Sequence, residues 1–241
     1  MGVHKLAIII PYRNRIKQLN SLLPKLDKFL NQKKISYHCF VIEQFNKKPF
    51  NKGALLNIGY KLVPNEFDYM MLHDVDYSPI RADYSFSRNQ SHLYPISKFQ
   101  PNYPGCNCKK GIRCSCGALF RINFFGGIVK TTRRNFIKAN GFSNRYKGWG
   151  CEDNDFYLRC RYSRINTTRQ RCLFECFPHD RKHRNFGNPY YPHNCKVLAS
   201  MRKKTKGNLK DGLNQIGKTF KYKVVQVDKI NATSTLYKIA F

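Results

Sequence analysis

The chain has 241 residues, and its 44 Lys and Arg against 14 Asp and Glu give a formal net charge of 44 − 14 = +30. A hydrophobic content of 41% with 14% aromatic residues excludes a disordered polybasic protein. The length predicts a single domain over residues 1–241. The charge fits two classes of protein, namely one that binds nucleic acid and an enzyme whose ligands are anionic, such as nucleotide diphosphates.

The first third of the chain predicts alternating strands and helices. Leu6–Ile10 is an apolar run closed by Pro11, which is typical of a buried parallel strand. Apolar residues recur at helical spacing over 15–31, and Pro24 should kink or restart that helix. Further strands are predicted over 37–42 and 67–72, and a further helix over 52–62. This alternation indicates an α/β sheet, in which ligands lie at the carboxyl ends of strands.

The stretch from about 77 to 117 is polar and proline-rich, and it predicts a cysteine-rich insertion or long loop. Two C-x-C pairs lie here within eleven residues, and they consist of Cys106, Cys108, Cys114 and Cys116. The nearby positive charges favour thiolates, so the four sulfurs could hold one structural Zn²⁺. Local disulfides and thiols without a ligand are the alternatives.

Regular structure is predicted again after this stretch. The run 124–129 predicts a strand, and its pair Gly126 and Gly127 indicates a close approach to the backbone. The other predicted elements are a helix through 135–139 capped by Thr131 or Thr132, a helix over 153–161, a polar basic stretch from about 178 to 209, and closing strands over 222–227 and 236–241.

Clustered acids stand out in a chain that has so few. Asp74 and Asp76 directly follow the predicted strand 67–72, where both side chains would face the same crevice. Two carboxylates at such a place suit Mg²⁺ or Mn²⁺ holding a diphosphate. A solvated turn is the alternative interpretation of so short a motif.

A second cluster surrounds Trp149, the only tryptophan of the chain. Trp149 lies between two glycines and precedes Glu152 and Asp153. The structural interpretation is a helix N-terminus whose acids compensate the helix dipole. The functional one is an aromatic platform for a sugar or base ring beside a general base. His179 and His183 could complete a metal site or could simply be solvated.

Six motifs occur in one order between about residues 7 and 237. Together they resemble the β-1,4-galactosyltransferase family, which is glycosyltransferase family 7. The motifs lie at residues 11–15 (PYRNR), 50–59 (FNKGALLNIG), 73–76 (HDVD), 125–127 (FGG), 148–153 (GWGCED) and 211–214 (DGLN). The resemblance implies a GT-A fold and the inverting transfer of a sugar from a UDP-sugar donor with Mn²⁺ as cofactor, for which Mg²⁺ is the alternative.

The resemblance also implies which residues bind the donor. Arginines in the first motif can pair with phosphate. The positions that match the donor site are Pro11, Tyr12, Arg13, Arg15, Phe50, Asn51, Asp74, Phe124 and Gly127. Phe124 stands where galactose-transferring members have tyrosine, which leaves the donor sugar open between galactose, an N-acetylhexosamine and another hexose.

Only part of the family's metal site can be matched to residues of this sequence. Asp76 matches the family's metal-binding carboxylate, and His179 matches its metal-binding histidine. Cys176 stands where many members have a methionine ligand, and a thiolate there would be a softer ligand. His183 is the rival third ligand.

The family's catalytic residues can be matched to this sequence more directly. Trp149 matches the mobile tryptophan that closes over donor and acceptor, while Glu152 and Asp153 match the acidic pair at the acceptor. Asp153 stands at the position of the general base. The residues from about 177 to 197 correspond to a mobile loop for metal and acceptor, but the acceptor-binding pattern is not recognisable there.

The sequence therefore predicts an inverting UDP-sugar-dependent transferase that acts on a hydroxyl of a glycan, glycoprotein or other glycoconjugate, which the basic flanks suggest is anionic. The alternatives are a basic nucleic-acid-binding protein and an inactive sugar-binding module on a degenerate transferase fold. No apolar run approaches the roughly 18 residues of a membrane span. Since no signal peptide is evident either, we expect an intracellular, cytoplasmic enzyme or a domain excised from a longer secretory-pathway protein.

Overall fold

A computed structural model of the protein describes residues 4–97, 125–177, 188–203 and 209–241. The strands are β1 (Lys5–Tyr12), β2 (Ser36–Gln44), β3 (Tyr69–His73), β4 (Tyr77–Arg81), β5 (Gln90–Ser97), β6 (Ile128–Thr132), β7 (Thr167–Cys176), β8 (Lys223–Asn231) and β9 (Ser234–Ala240). The α-helices are α1 (Ile16–Gln32), α2 (Lys52–Leu62), α3 (Arg133–Lys138), α4 (Glu152–Tyr162) and α5 (Tyr191–Arg202). Leu213–Gln215 forms one turn of 3-10 helix.

These strands form one mixed sheet in the order β4-β7-β5-β6-β3-β1-β2-β9-β8. The central strands β3, β1, β2 and β9 run parallel to one another. β6 is antiparallel to β3, and β8 is antiparallel to β9. The predicted α/β class is confirmed, with the parallel strands at the centre of the sheet.

The sheet is buried on both faces because β1 is apolar at every inner position. Ile8 and Ile10 belong to one core cluster with Leu22 of α1, whereas Ile9 belongs to another with Leu55 of α2. Successive residues of a strand point to opposite faces, so α1 and α2 cover opposite sides of the sheet. The carboxyl ends of the central strands are left open between the helices.

Several predicted elements differ in the structure. α1 runs through Pro24 as one helix and does not restart there, and this proline lies at an exposed position. Part of the stretch predicted as a loop or insertion forms β4 and β5, which join the main sheet. The four clustered cysteines lie outside the described residues.

The polar stretch after residue 178 contains a helix that the sequence interpretation missed. The residues of α5 that are buried are Asn194, Val197, Leu198 and Met201. This is the i, i+3, i+4, i+7 spacing of an amphipathic helix, with an amide at one of its apolar places. Within the described ranges, no helix combines the length and apolarity needed to cross a bilayer.

Candidate active site

The candidate site lies at the carboxyl ends of β1 and β3, where the N-termini of α2 and α4 meet the sheet. The backbone N–H of Asp74, just after β3, donates to the carbonyl oxygen of Gly127, just before β6, at 2.9 Å. The residues that line a small cavity here include Lys52, His73, Asp74, Phe125, Gly127 and Asp153. This is the place where α/β sheets bind their ligands.

The ammonium of Lys52 joins three carboxylates from separate parts of the chain. Its Nζ lies 2.9 Å from Oδ1 of Asp74, 2.9 Å from Oδ1 of Asp153 and 4.0 Å from Oε1 of Glu152. Burial alone would lower the pKa of Lys52, but the negative charges of these neighbours outweigh burial and raise that pKa well above its usual value. The sequence interpretation placed the acids here, but it did not place Lys52 among them.

Two of these carboxyls hold a proton more tightly than usual. Burial raises the pKa of Glu152 to about 7, and the nearby charge of Asp153 adds to the effect. Burial also raises the pKa of Asp74 to about 6, although Lys52 acts in the opposite direction. Carboxyl groups perturbed in this way within a cavity are typical of sites that bind ligands or transfer protons.

Glu152 and Asp153 occupy the first turn of α4, where the helix dipole favours negative charge. Oε2 of Glu152 accepts a hydrogen bond from the Gly150 N–H at 3.1 Å, and its side chain is 10% exposed. The Asp153 side chain is 20% exposed. Asp153 is therefore the more accessible of the two, as a general base requires.

A buried ion-pair network fixes α4 from behind. The guanidinium of Arg159 donates to Asp155 one turn earlier and to Oδ1 of Asp211 at 2.9 Å. A Cβ on Gly212 would lie 2.1 Å from the carbonyl oxygen of Asn140, so only glycine fits there. The motif at 211–214 therefore supports α4 and does not reach into the cavity.

The segments expected to bind the nucleotide lie together. Pro11 and Tyr12 end β1 in buried positions, and the guanidinium of Arg13 lies 5.2 Å from the ring centre of Phe50. The Asn51 side chain caps α2 by accepting from the Ala54 N–H at 2.9 Å. Arg15 precedes α1 as its N-cap residue. An arginine stacked on an aromatic ring beside a helix N-terminus suits a nucleotide diphosphate.

Trp149 lies in a tight loop before α4. Its neighbours Gly148 and Gly150 have φ values of 63° and 109°, and Cys151 has a φ of 74°. Trp149 is 41% exposed. The two glycines allow a turn in which a large aromatic side chain stands at the surface next to Glu152 and Asp153.

The expected metal ligands lie beside each other only in part. Cys176 pairs with Tyr77 across β7 and β4, and the Phe177 N–H donates to the carbonyl oxygen of Asp76 at 2.9 Å. The Asp76 carboxylate suits Mn²⁺ or Mg²⁺, and the Cys176 thiol would add a softer donor. Among the described residues no group of three or more His, Cys, Asp or Glu is placed to hold a metal ion. This pair would therefore require a further ligand from elsewhere in the chain.

The remaining predicted site residues lie outside the described part of the chain. They are Phe124, His179, His183 and the four clustered cysteines. Their predicted roles in donor selection, metal binding and zinc binding stay predictions.

Two family models match the chain. Residues 1–87 match the N-terminal region of glycosyl transferase group 7, and residues 119–183 match the N-terminal domain of galactosyltransferase. The chain belongs to glycosyltransferase family 7. Each matched segment contains an acid of the cavity, since Asp74 lies in the first segment and Asp153 in the second.

Curated relatives support this assignment. The β-1,4-galactosyltransferase 7 of Drosophila melanogaster is 32% identical over 171 residues, which are 70% of this chain and 48% of that protein. The β-N-acetyl-D-glucosaminide β-1,4-N-acetylglucosaminyl-transferase of Lymnaea stagnalis is 39% identical over 170 residues, which are 69% of this chain and 32% of that protein. The chain spans about half the length, or less, of these two relatives.

Solved structures show the same fold. The catalytic domain of Drosophila β1,4-galactosyltransferase 7 with xylobiose superposes with a TM-score of 0.73 at 27% identity, covering 99% of this chain and 94% of that one. A mutant of the Drosophila enzyme, solved with manganese, UDP-Gal and xylobiose, also gives a TM-score of 0.73, at 28% identity over 99% of this chain and 94% of that one. The predicted GT-A fold is confirmed.

Proposed function

We propose that the protein is an inverting, metal-dependent glycosyltransferase that moves a hexose or N-acetylhexosamine from a UDP-sugar to a hydroxyl of a glycan. The observation that carries the proposal is the meeting of Lys52, Asp74 and Asp153 in one cavity at the strand ends of a GT-A fold. The solved complex of a Drosophila relative with manganese, UDP-Gal and xylobiose supports it.

The donor side of the site consists of β1 and the start of α2. Arg13 and Phe50 form a stacked cation and ring at 5.2 Å, which suits the uridine and diphosphate of the donor. Asp76, Cys176 and His179 would hold the metal ion. When bound, Mn²⁺ neutralises charge that develops on the departing diphosphate.

The transfer itself is a single displacement. The Asp153 carboxylate takes the proton of the acceptor hydroxyl, and the acceptor oxygen forms a bond to the anomeric carbon. The bond between that carbon and the UDP oxygen breaks on the opposite face, and its electron pair leaves with UDP. The configuration at the anomeric carbon is thereby inverted. Trp149, beside Asp153, covers the acceptor and excludes water that would hydrolyse the donor.

The relatives define a short panel of substrates. They include enzymes named for galactose transfer and one named for N-acetylglucosamine transfer. We therefore propose UDP-galactose, UDP-N-acetylglucosamine and UDP-N-acetylgalactosamine as donors to test. Xylobiose and di-N-acetylchitobiose are the matching acceptors, and a sulfated xyloside tests the anionic acceptor that the basic flanks favour.

The test is UDP release from each donor and acceptor pair with Mn²⁺, Mg²⁺ or EDTA. We expect acceptor-dependent release with Mn²⁺ that EDTA abolishes. Asp153→Asn should lower the rate by at least about 100-fold, the lower end for loss of a general base. Its affinity for UDP–Mn²⁺ in calorimetry should stay within about threefold, since Asp153 contacts the acceptor side.

The matched control is Asp228→Asn in the edge strand β8, where the carboxylate is 40% exposed and lies 3.7 Å from Lys238, away from the cavity. It should leave the rate unchanged. An Asp153→Asn variant that keeps most of its activity would refute the assignment of the base. Absence of UDP binding together with salt-dependent binding of RNA would refute the enzyme and favour the nucleic-acid alternative.

A further inference from the structure

The loop around the single tryptophan makes many hydrogen bonds through its backbone. This tryptophan loop comprises residues 147–150, which shortly precede α4 in the chain. Its glycines have positive φ values, and a Cβ on Gly148 would lie 2.6 Å from Oδ1 of Asn188. The position of Trp149 therefore depends on what holds the backbone around it.

One buried side chain of α5 makes four hydrogen bonds to the backbone of this loop. Asn194 is 0% exposed, and its amide nitrogen donates to the carbonyl oxygens of Lys147 at 2.9 Å, Gly150 at 3.1 Å and Trp149 at 3.4 Å. Its amide oxygen accepts from the Lys147 N–H at 3.1 Å. The amide nitrogen and the amide oxygen of Asn194 therefore both bind the tryptophan loop.

Neighbouring residues of the same segment extend the contact. The Asn188 amide donates to the Trp149 carbonyl at 2.7 Å, and the Tyr191 ring packs at 3.2 Å from where a Cβ on Gly150 would stand. The sulfurs of Cys151 and Cys195 lie 4.0 Å apart. On its other side the loop reaches the donor segment, because the Gly148 N–H donates to the Phe50 carbonyl at 2.7 Å.

We propose that Asn194 is a positioning residue that sets the place of Trp149 and thereby the shape of the acceptor site. It does not touch the reacting atoms. It fixes the tryptophan loop to the first turns of α5, so that loop and helix move as one unit. The role of Trp149 at the acceptor rests on the proposed function, but the structural part of the inference does not require turnover.

A substitution that keeps the size of the Asn194 side chain but removes its N–H donors tests this positioning role. In Asn194→Asp the carboxylate cannot donate and would face three carbonyl oxygens, so the loop loses the hydrogen bonds that Asn194 donates without losing packing volume. Asn188→Ala is a milder second variant that removes the donor to Trp149 and Lys147, together with the acceptor for the Tyr190 N–H at the start of α5. It keeps the proposal testable if Asn194→Asp does not fold.

Asn140→Asp is the matched control. The Asn140 amide also makes four hydrogen bonds, to Leu209, Asp211 and Asn214. These bonds hold the segment behind α4 and not the tryptophan loop. The control therefore reports the cost of losing the hydrogen bonds of a half-buried amide elsewhere in the protein.

The first measurement is fluorescence of the chain's single tryptophan and its quenching by acrylamide. We expect Asn194→Asp to raise the quenching constant about twofold and to shift emission to longer wavelength, because Trp149 gains access to water when its loop is released. Asn188→Ala should give a smaller change in the same direction. Asn140→Asp should lower the melting temperature but leave quenching as in the wild type.

The second measurement separates KM from kcat with the donor and acceptor pair that gives the highest UDP release. For Asn194→Asp we expect the acceptor KM to rise at least about fivefold, equivalent to about 1 kcal/mol, the strength of one hydrogen bond. The dissociation constant for UDP–Mn²⁺ should change less than about twofold.

Wild-type quenching in folded Asn194→Asp and Asn188→Ala would overturn the proposal, as would an equal change in Asn140→Asp. If no pair releases UDP, the proposed function fails while the fluorescence result still decides the inference. If UDP is released but the acceptor KM does not respond, the inference fails and the proposed function stands.

Discussion

Lys52 donates to Asp74 and Asp153 while its ammonium remains 4.0 Å from Glu152. Three carboxylates in one largely buried cavity would repel one another strongly without this charge. Removal of one partner from a buried ion pair typically costs about 3 to 5 kcal/mol, whereas an exposed pair contributes about 1 kcal/mol or less. The lysine therefore makes the acidic site compatible with a stable fold.

Glu152 gives a prediction about pH. Its pKa in the folded state is raised to about 7 by burial, against an ordinary value of 4.5. Between these values the folded state binds more protons than the unfolded state, so this group makes the protein less stable as pH rises from 4.5 to 7. Glu152→Gln cannot titrate. The variant should therefore gain stability relative to wild type across that window, by on the order of 1 kcal/mol or more.

Urea unfolding of both proteins at pH 4.5, 5.5, 6.5 and 7.5 measures this difference. Glu66→Gln, at an exposed position paired with Lys5, is the control and should stay parallel to the wild type. A constant difference between Glu152→Gln and wild type over the whole range would contradict the raised pKa.

Among the elements, α2 is packed unusually close to the sheet. A Cβ on Gly59 would lie 2.4 Å from Cγ2 of Ile9 in β1 and 3.1 Å from Cγ1 of Ile42 in β2. Two effects then compete in Gly59→Ala. Helix propensity favours alanine by about 1 kcal/mol, and overpacking costs about 1 to 3 kcal/mol. Since 2.4 Å is too short for any carbon contact, we expect net destabilisation of about 1 to 2 kcal/mol.

Equilibrium urea denaturation tests the sign of this change. Lys61→Ala, two residues later on the exposed face of α2, should stay within about 0.5 kcal/mol of wild type. A Gly59→Ala variant that is more stable than wild type would show that the sheet moves away from α2 at little cost.

The elements that the sequence predicts are those whose apolar residues repeat with a clear period. β1, α1, α2 and β3 have such patterns because their apolar side chains pack into the core. β7 was missed because its first five residues are polar, although they pair with β5, and α5 was missed because Asn194 occupies an apolar place. In β7 the tertiary partner, and not the local pattern, determines the structure, whereas in α5 the helical spacing is present but one of its buried places is an amide.

At the scale of the whole molecule, the acids of the site were predictable because they are rare among the bases and follow apolar strands. Their mutual distances were not, since Asp74 and Asp153 approach one another only through the pairing of β3 with β6 and the placement of α4. The role of the motif at 211–214 could not be predicted from the sequence, because this motif accepts hydrogen bonds from Arg159 and does not line the cavity.

The net charge of +30 gives a prediction for the whole molecule. Most of the 44 bases cannot have an acidic partner when only 14 acids exist, so repulsion opposes the folded state. Raising NaCl from 20 to 200 mM shortens the Debye length and should raise the melting temperature by about 2 °C or more. Differential scanning fluorimetry measures this, with sucrose of equal osmolality as control. An unchanged or lower melting temperature in salt would contradict it.

The pairing of β2 with β9 affects how the sheet is made during translation. Tyr37 of β2 and Thr233 just before β9 are hydrogen-bonded at 3.1 Å although they lie 196 positions apart. A ribosome that adds roughly 5 to 20 residues per second needs about 10 to 40 s for that distance. Once β3 has been made, a nascent sheet of β1, β2 and β3 would present the unpaired backbone of β2 to other chains for the rest of this interval. The hairpin of β8 and β9 closes that edge only when it has been synthesised.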